Sequence, residues 1–356
     1  MGLDSRVDST RDNNISIMRF IAAALVIYGH MFVLSVHQQP NLLLGNQPHI
    51  IGIRIFFVIS GYLITKSFNS DRNVLRYALR RFFRIVPGLV FCIILTTFII
   101  GPILTTLPLD KYYTDPEVYG YLFKNILFSP VFNLPGVFEN NPSSAVNGSI
   151  WSLPVEIIMY IIFPIVFWLC SKSRYQTVLL TICVIAVCIL NVIWSIYYPT
   201  DILVVYGTPF KNVSDLAPFF FMSGLFTLPF YKKLLNIQVG FILLVIAQLL
   251  SLSNWKMDIV QFVVFPYAIL SFAFDSKPVF KDFSVKNDYS YGLFLFGFVS
   301  EQSIIKYLLI DNTIVENRNV LFVISILLAL GFAVMSWHLV EKPMQKIGRR
   351  MISFVP

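Results

Sequence analysis

Ten long apolar runs, separated by short polar segments, constrain this chain more than any other feature of its sequence. They lie at residues 15–36, 50–68, 86–107, 150–170, 176–197, 212–231, 235–252, 258–275, 289–310 and 319–340. A helix that spans the hydrocarbon core of a bilayer needs about 20 mostly apolar residues. Only 13% of the residues are charged, against about 25% in a soluble domain. The sequence therefore predicts an all-α, polytopic membrane protein of about ten transmembrane helices.

The basic residues predict how these helices are oriented. Most of the 27 Lys and Arg residues fall in alternate connecting segments on the side of the N-terminus, which the positive-inside rule assigns to the cytoplasm. With an even number of spans, both termini are then cytoplasmic. We expect residues 1–14 and 342–356 to be cytoplasmic tails and residues 15–341 to be the transmembrane domain. The net charge of +8 then reflects loops beside anionic membrane lipids, and no nucleic acid is expected as a partner.

Arg19 and His30 lie on one face of the first predicted helix. Their separation of eleven residues corresponds to about three helical turns, so both side chains project in nearly the same direction. Ionisable residues inside a bilayer are costly and by default mark a functional interior or a water-filled cavity. The alternative is structural, with Arg19 extending to the inner headgroups and His30 bonding a backbone carbonyl.

The polar stretch at residues 69–85 is rich in arginine. Arg76, Arg80 and Arg84 follow one another at i, i+4 spacing and therefore share one face of a helix, and Arg81 lies beside them. Such a face suits a highly anionic ligand, because a guanidinium group binds phosphate through two hydrogen bonds. Attraction to anionic lipid headgroups is the simpler explanation when this segment is taken by itself.

Two more ionisable groups lie in or beside apolar runs. Arg54 lies inside the second run and needs an anionic partner, and Gly61 after it allows another helix or a ligand to approach closely. Glu156 follows Trp151 at the start of the fourth run. A carboxylate there would orient and polarise His30 or pair with Arg54. The helix dipole alone also stabilises a carboxylate at a helix N-terminus.

Together these residues resemble the acyltransferase 3 family of bacterial membrane O-acyltransferases, which typically acetylate surface polysaccharides. Six motifs of that family occur in order along nearly the whole chain. They are an Arg or Lys separated by ten residues from a His (Arg19, His30), an FFVISGYLI-like string (Phe56–Ile64), RRFxRIxP (Arg80–Pro87), WSLxxE (Trp151–Glu156), DxSYG (Asp288–Gly292) and EKP (Glu341–Pro343). In many members a Tyr and then a His follow the SYG string, whereas this chain has Phe294 and Gly297 there. His30 is therefore the better candidate for the chemistry.

The resemblance implies a reaction and assigns roles to the motif residues. Acetyl-CoA would be the acyl donor, bound from the cytoplasm, and a lipid-linked glycan would be the acceptor on the outer side of a bacterial inner membrane. His30 would act as general base, with Glu156 orienting its imidazole. The donor-binding residues would be Arg19, Arg80, Arg81, Arg84 and Tyr291, and the acceptor-binding residues Trp151, Ser152 and Arg54. No metal is expected, because the four cysteines lie in apolar runs without zinc-ligand spacing.

Alternatives to this reading remain at the level of the sequence. His30 could carry the acetyl group covalently instead of acting as a base. A flippase or transporter for lipid-linked glycans would also have ten or more spans with embedded charges, although such proteins often contain inverted repeats, which are not evident here. A non-catalytic assembly factor would leave the Arg–His pair and the arginine cluster unexplained.

Overall fold

The computed structural model describes residues 13–35, 37–198, 203–250, 254–283, 287–308 and 318–355. Almost all regular structure in these ranges is helical. The helices are α1 (Ile15–Leu34), α2 (Pro48–Ser70), α3 (Val74–Leu95), α4 (Gly101–Leu104), α5 (Leu109–Thr114), α6 (Pro116–Ile126), α7 (Ser152–Ser171), α8 (Gln176–Tyr197), α9 (Phe210–Leu225), α10 (Pro229–Lys232), α11 (Ile237–Leu249), α12 (Asn254–Ala273), α13 (Ser290–Leu308), α14 (Arg318–Ser336) and α15 (Lys342–Ser353). Two-residue strands β1 (Val204–Val205) and β2 (Thr208–Pro209) form an antiparallel pair.

The predicted all-α membrane architecture is confirmed. Within the described ranges, seven segments are helical, long and apolar enough to cross a bilayer. They are Ile15–Leu34, Pro48–Ser70, Val74–Leu104, Gly148–Ser171, Gln176–Tyr197, Trp255–Ala273 and Arg318–Ser353. The other three predicted runs contain helices α9, α11 and α13, of which α11 has only 13 residues. Ten spans and cytoplasmic termini therefore stay predictions.

The arginine-rich stretch does not form a loop separate from the third span. Asn73 caps α3 by accepting a hydrogen bond from the Arg76 amide at 3.0 Å, and the helix then continues through the arginines into the apolar run despite Pro87. A π-helical turn, Thr96–Ile100, joins α3 to α4. This continuity matters because the arginine side chains are held at a fixed distance below the membrane-embedded part of α3.

Close helix contacts bring α1 and α2 together around the interior. Gly52 on α2 lies so near α1 that a β-carbon there would be 2.4 Å from the Ala22 carbonyl oxygen. Small residues are enriched where membrane helices meet, because they let the backbones approach. Gly292 similarly brings α13 against Ala333 of α14. The polar faces of α1, α2 and α13 are thereby turned toward a common interior.

The expected tail at residues 342–356 is instead largely helical. α15 packs on α3, with Gly348 so close to Phe83 that a β-carbon would be 2.5 Å from its ring. The Arg76 guanidinium donates a hydrogen bond to the Val355 carbonyl oxygen at 3.4 Å. Residues 1–12 of the other expected tail lie outside the described residues. The long segment at about 108–149 contains α5 and α6 and buries Tyr112 and Tyr121.

Candidate active site

A chamber of about 550 Å³ opens between α1, α2, α3, α7, α13 and α15. Seven of the ten site residues predicted from the sequence line it, which means that positions up to about 270 residues apart in the chain converge. They are Arg19, Arg80, Arg81, Arg84, Ser152, Glu156 and Tyr291. Three predicted site residues, His30, Trp151 and Arg54, lie outside its lining.

The chamber changes from apolar to basic along its length. Buried Ile53 and Phe294 line one end, and Phe294 packs edge to face on Phe56 with ring centroids 5.6 Å apart. α2 runs along the wall from Ile53 to Ser70, which is exposed, so Ser70 and the exposed Arg349 mark the mouth. Guanidinium groups from α1 and α3 lie between these ends. The arrangement suits a molecule with a slender apolar end and a strongly anionic end.

Asp288 joins two of these guanidinium groups. Its Oδ2 accepts hydrogen bonds from Arg19 at 3.1 Å and from Arg84 at 2.8 Å. Its Oδ1 accepts from the Ser290 amide at 3.2 Å and the Ser290 hydroxyl at 2.5 Å. Burial acts to raise the pKa of Asp288, but Arg84, Arg19 and the bonds from Ser290 outweigh it and lower the pKa below its usual range. The carboxylate therefore stays ionised and fixes α1 against α3.

Asp71, in the turn between α2 and α3, likewise bonds two guanidinium groups, nearer the mouth. It accepts hydrogen bonds from Arg80 at 2.8 Å and from Arg76 at 3.0 Å. The bond from Arg80 is the main cause that lowers the pKa of Asp71 to about 2. Arg80 keeps its Nε and Nη2 buried without a hydrogen-bond partner. Its guanidinium group therefore retains donors for a bound anion.

Arg81 has aromatic rings rather than a carboxylate beside it. Its guanidinium carbon lies 6.0 Å from the ring centroids of both Tyr77 and Tyr160, at the limit of a favourable cation–π contact. Tyr291 of α13 also lines the chamber, and its hydroxyl donates to the Ile85 carbonyl oxygen of α3 at 3.0 Å. These contacts thus hold the arginine side chains of the chamber in place before any ligand arrives.

Glu156 lies in the chamber but does not contact His30. Its Oε1 accepts hydrogen bonds from the Ser60 hydroxyl at 3.1 Å and from the Tyr160 hydroxyl. The predicted orienting contact with His30 is therefore absent among the described residues, and so is the alternative pairing with Arg54. Ser60 belongs to the wall of the chamber nearest Arg19, two helical turns toward the mouth from Ile53. This separation is the physical reason why Glu156 cannot reach the imidazole.

His30 is buried just beyond the apolar end of the chamber. Its ring packs against Phe298, with centroids 5.0 Å apart, and against His49, with centroids 5.8 Å apart. Both contacts lie about one helical turn, near 5–6 Å, beyond lining residues on the same helices: Phe298 follows Phe294, and His49 precedes Ile53. The Nδ1 of His30 is buried without a hydrogen-bond partner. The imidazole is thus free for chemistry but screened from the chamber.

Gly29 makes the contact between the two imidazoles possible. A β-carbon at this position would lie 2.6 Å from the His49 backbone nitrogen and 2.7 Å from its β-carbon. The first turn of α2 therefore rests directly on α1 beside His30. Gln39, in the segment before α2, contacts the Nδ1 of His49 through its Oε1 at 2.7 Å. His49 was not among the residues singled out from the sequence, since a histidine after Pro48 gives no signal of its own.

Arg54 makes its contacts in the protein interior and does not line the chamber. Its guanidinium group donates to the Asn46 side-chain oxygen at 2.7 Å and to Gln261, and it stacks over Phe219 at 4.5 Å from the ring centroid. Gln261 in turn donates to the Leu44 carbonyl oxygen at 2.9 Å. The anionic charge expected from its burial comes from Asp258 of α12 and Asp215 of α9, which act on Arg54 electrostatically. The amide oxygens and the aromatic face tie the segment before α2 to α9 and α12.

Trp151 is linked to the surroundings of His30 through the turn that it ends. It ends a 3₁₀ turn, Gly148–Trp151, in which Gly148 packs so tightly on Phe298 that a β-carbon would be 2.5 Å from the ring. Phe298 is the residue that contacts His30 on its other side. Trp151 itself is half-buried. It therefore borders the histidine region and not the basic chamber.

The fold and this chamber define a polytopic membrane protein whose interior holds a basic cavity next to a buried histidine. The model of the acyltransferase 3 family, described as an acyltransferase domain, matches residues 12–338. The chain therefore belongs to this family and is a membrane acyltransferase. Membership of the family favours an enzyme over the flippase or transporter weighed as the alternative.

Three relatives show how the similarity is distributed. The O-acetyl transferase of Shigella phage Sf6 is 27% identical over 93% of this chain and 96% of its own length. The peptidoglycan O-acetyltransferase OatA of Listeria monocytogenes is 30% identical over 49% of this chain and 28% of its own length. Nodulation protein 10 of Rhizobium leguminosarum bv. viciae is 23% identical over 99% of this chain. No solved structure matches the chain significantly.

Proposed function

We propose that this acyltransferase moves an acetyl group from cytoplasmic acetyl-CoA to a hydroxyl of a surface polysaccharide or lipid-linked glycan on the outer side of a bacterial inner membrane. The observation that carries the proposal is the chamber, which is basic at its mouth and apolar where it approaches His30. Two relatives that bear the name O-acetyltransferase support the choice of reaction. The positive-inside distribution of Lys and Arg puts the arginine-rich mouth in the cytoplasm.

The shape of the donor fits this gradient. Coenzyme A carries its phosphates at one end and its thioester at the end of a narrow pantetheine arm. Arg80 and Arg81 hold the phosphates, because guanidinium groups bind phosphate oxygens strongly and in fixed geometry. The arm passes Arg19, Arg84 and Tyr291 toward the apolar end. Only the acetyl group then needs to reach the imidazole.

Glu156 takes a different role in this proposal from the one expected from its sequence motif. Its carboxyl group and the hydroxyl of Ser152 line the part of the chamber that the pantetheine arm crosses. That arm contains two amide groups, whose N–H donors need acceptors once water is displaced. Glu156 and Ser152 therefore bind the donor arm, and the orientation of His30 depends on its own packing with Phe298 and His49.

The chemical step is a transfer of the acetyl group between sulfur and oxygen. His30 removes the proton of the acceptor hydroxyl, whose oxygen attacks the thioester carbonyl carbon. The carbon–sulfur bond breaks as the carbon–oxygen bond forms, and the proton passes from the imidazolium to the leaving thiolate. In a two-step version His30 first accepts the acetyl group, and the acceptor then attacks that intermediate. Trp151, which borders this region, offers a ring for stacking on the sugar.

Purified full-length protein in lipid nanodiscs provides the direct test. Acetyl-CoA labelled in its acetyl group is supplied together with a glycan acceptor, and ester formation is followed by NMR. We expect His30→Ala to lower the rate by at least about 10²-fold, which is the lower range for general-base catalysis, while CoA still binds. The exposed His37 serves as a matched control, because His37→Ala removes an imidazole outside the site.

Two results separate the possible failures. Near-normal transfer by a well-folded His30→Ala protein would exclude the role of this histidine. Failure of the wild-type protein to bind CoA or to use acetyl-CoA would reject the proposed donor. Exchange of label between acetyl-CoA and free CoA without acceptor would show the two-step route, which direct transfer does not permit.

A further inference from the structure

Helix α15 begins within the EKP motif and lies beyond the match to the family model, yet it forms part of the chamber. The family match ends at residue 338, and α15 occupies Lys342–Ser353. Four of its residues, Gln345, Gly348, Arg349 and Ile352, line the chamber. The sequence predicted a cytoplasmic tail at residues 342–356. A wall of the site is therefore supplied by an element that the family comparison does not cover.

The spacing of these four residues shows that one face of α15 is turned to the chamber. Residues separated by three, four and seven positions lie on the same side of a helix. Gly348 brings this face against Phe83 of α3, at a distance that leaves no room for a β-carbon. The bond from Arg76 to the Val355 carbonyl oxygen holds the following residues to α3 as well. The face is thus fixed beside the arginines of α3.

Two polar side chains on this face are not engaged by the protein. The Gln345 side-chain nitrogen is buried without a hydrogen-bond partner, and a buried amide donor without a partner is costly. Arg349 is exposed at the mouth, and the described residues supply no carboxylate to it. By contrast, Arg19 and Arg84 share Asp288, and Arg80 bonds Asp71. Gln345 and Arg349 thus present unused donors at the open end of the chamber.

We propose that α15 binds the outermost phosphate of the donor, the 3′-phosphate of the adenosine end of coenzyme A, through Arg349 and Gln345. The inference rests on the proposed function, because it takes the donor to be a coenzyme A thioester. The thioester must point to the apolar end near Phe294, so the nucleotide must lie at the mouth. The diphosphate then lies at the arginines of α3, and the 3′-phosphate reaches the face of α15.

The test compares coenzyme A with coenzyme A that lacks the 3′-phosphate. Binding of each compound to full-length protein in nanodiscs is measured by calorimetry at one fixed ionic strength. For the wild type we expect the 3′-phosphate to tighten binding by about five- to tenfold, as for an ion pair that is partly exposed to solvent. Arg349→Ala is expected to lose most of this preference, and its affinity for the compound without the 3′-phosphate should change less than about twofold.

Arg350→Ala is the matched control, since Arg350 is exposed on the same helix but does not line the chamber. It should keep the wild-type preference. Gln345→Leu keeps the size of the side chain and is expected to reduce the preference by about threefold. Wild-type preference in both Arg349→Ala and Gln345→Leu would overturn the assignment of α15. A wild-type protein that binds neither compound would instead refute the proposed donor.

Discussion

Asp288→Asn is the change that tests most directly how the chamber is held together. The substitution keeps the size of the side chain and removes its charge. Arg19 of α1 and Arg84 of α3, which bond the same oxygen at 3.1 and 2.8 Å, are then left as two neighbouring cations without the carboxylate that they share. The three side chains are only 20–24% exposed, so water screens this repulsion incompletely.

The expected magnitude follows from the geometry. Two unit charges 4 Å apart attract by about 4 kcal/mol at an effective dielectric constant of about 20. Removing one partner of a buried ion pair typically costs about 3–5 kcal/mol, because the other charge stays buried and unpaired. The residual exposure of Asp288, Arg19 and Arg84 reduces this cost, and we expect a loss of about 2–4 kcal/mol. Such a loss corresponds to a fall in melting temperature on the order of 5–10 °C.

The dependence on pH has a definite sign. The folded pKa of Asp288 lies below its unfolded value, so its contribution to stability is complete above the unfolded pKa near 3.9 and disappears only as pH falls through the folded pKa. The part of the stability difference between wild type and Asp288→Asn that comes from ionisation of Asp288 should therefore be present in full above about pH 5. Bound coenzyme A should restore part of the loss, because its phosphates supply negative charge beside the two arginines.

Thermal unfolding of purified protein, followed by tryptophan fluorescence with and without coenzyme A, measures these effects. Asp282→Asn is the control, because Asp282 is exposed in the same connecting segment. Arg19→Gln combined with Asp288→Asn completes a double-mutant cycle that isolates the coupling between these two side chains. Melting of Asp288→Asn within about 1 °C of the control would refute the reasoning, since the shared carboxylate would then contribute nothing to the fold.

Two further changes test the region between the chamber and the buried histidines. Gly29→Ala should lower the rate of acetyl transfer at least about tenfold without weakening coenzyme A binding. The added methyl group collides with the His49 backbone and separates α1 from α2. Gly331→Ala is the control and should be neutral, because the structure has open space at that position. Phe294→Ala should raise the rate of acetyl-CoA hydrolysis in the absence of acceptor several-fold, because it opens the apolar end of the chamber to water. Phe82 is exposed, and Phe82→Ala should leave this rate unchanged. Unchanged hydrolysis in Phe294→Ala would show that this ring does not close the chamber.

The helices and seven residues of the chamber lining could be predicted from the sequence because their signals are local. Apolar runs of about 20 residues define spans without reference to other parts of the chain. Arginines at i, i+4 spacing share a helix face wherever the helix lies. The length of α11 was harder to predict, since 13 residues form the helix within the described part of its apolar run.

The partners of the charged residues could not be predicted, because they depend on packing between distant segments. Arg19 and Asp288 are 269 positions apart, and no local pattern links them. The same limit explains why a contact between His30 and Glu156 was expected. Both residues lie in motifs of one family, but Glu156 is bonded to Ser60, nearer the mouth of the chamber. The sequence motifs predicted which residues belong to the site. Their order along the chamber follows only from the packing of α1, α2 and α7.

The order of these groups has a consequence for how the enzyme would keep its two substrates apart. A coenzyme A thioester carries several phosphates. Moving them into the apolar part of a bilayer would cost far more free energy than their binding to the arginines at the mouth provides. On the proposed function the donor would therefore stop where the guanidinium groups end, and only its uncharged acetyl group would advance. Phe294 lies at that boundary, one turn before Phe298, which contacts His30, and Phe56 packs on Phe294. A closed aromatic boundary in the absence of substrates would prevent water from reaching the thioester, so its opening must be coupled to occupation of the chamber or arrival of the acceptor.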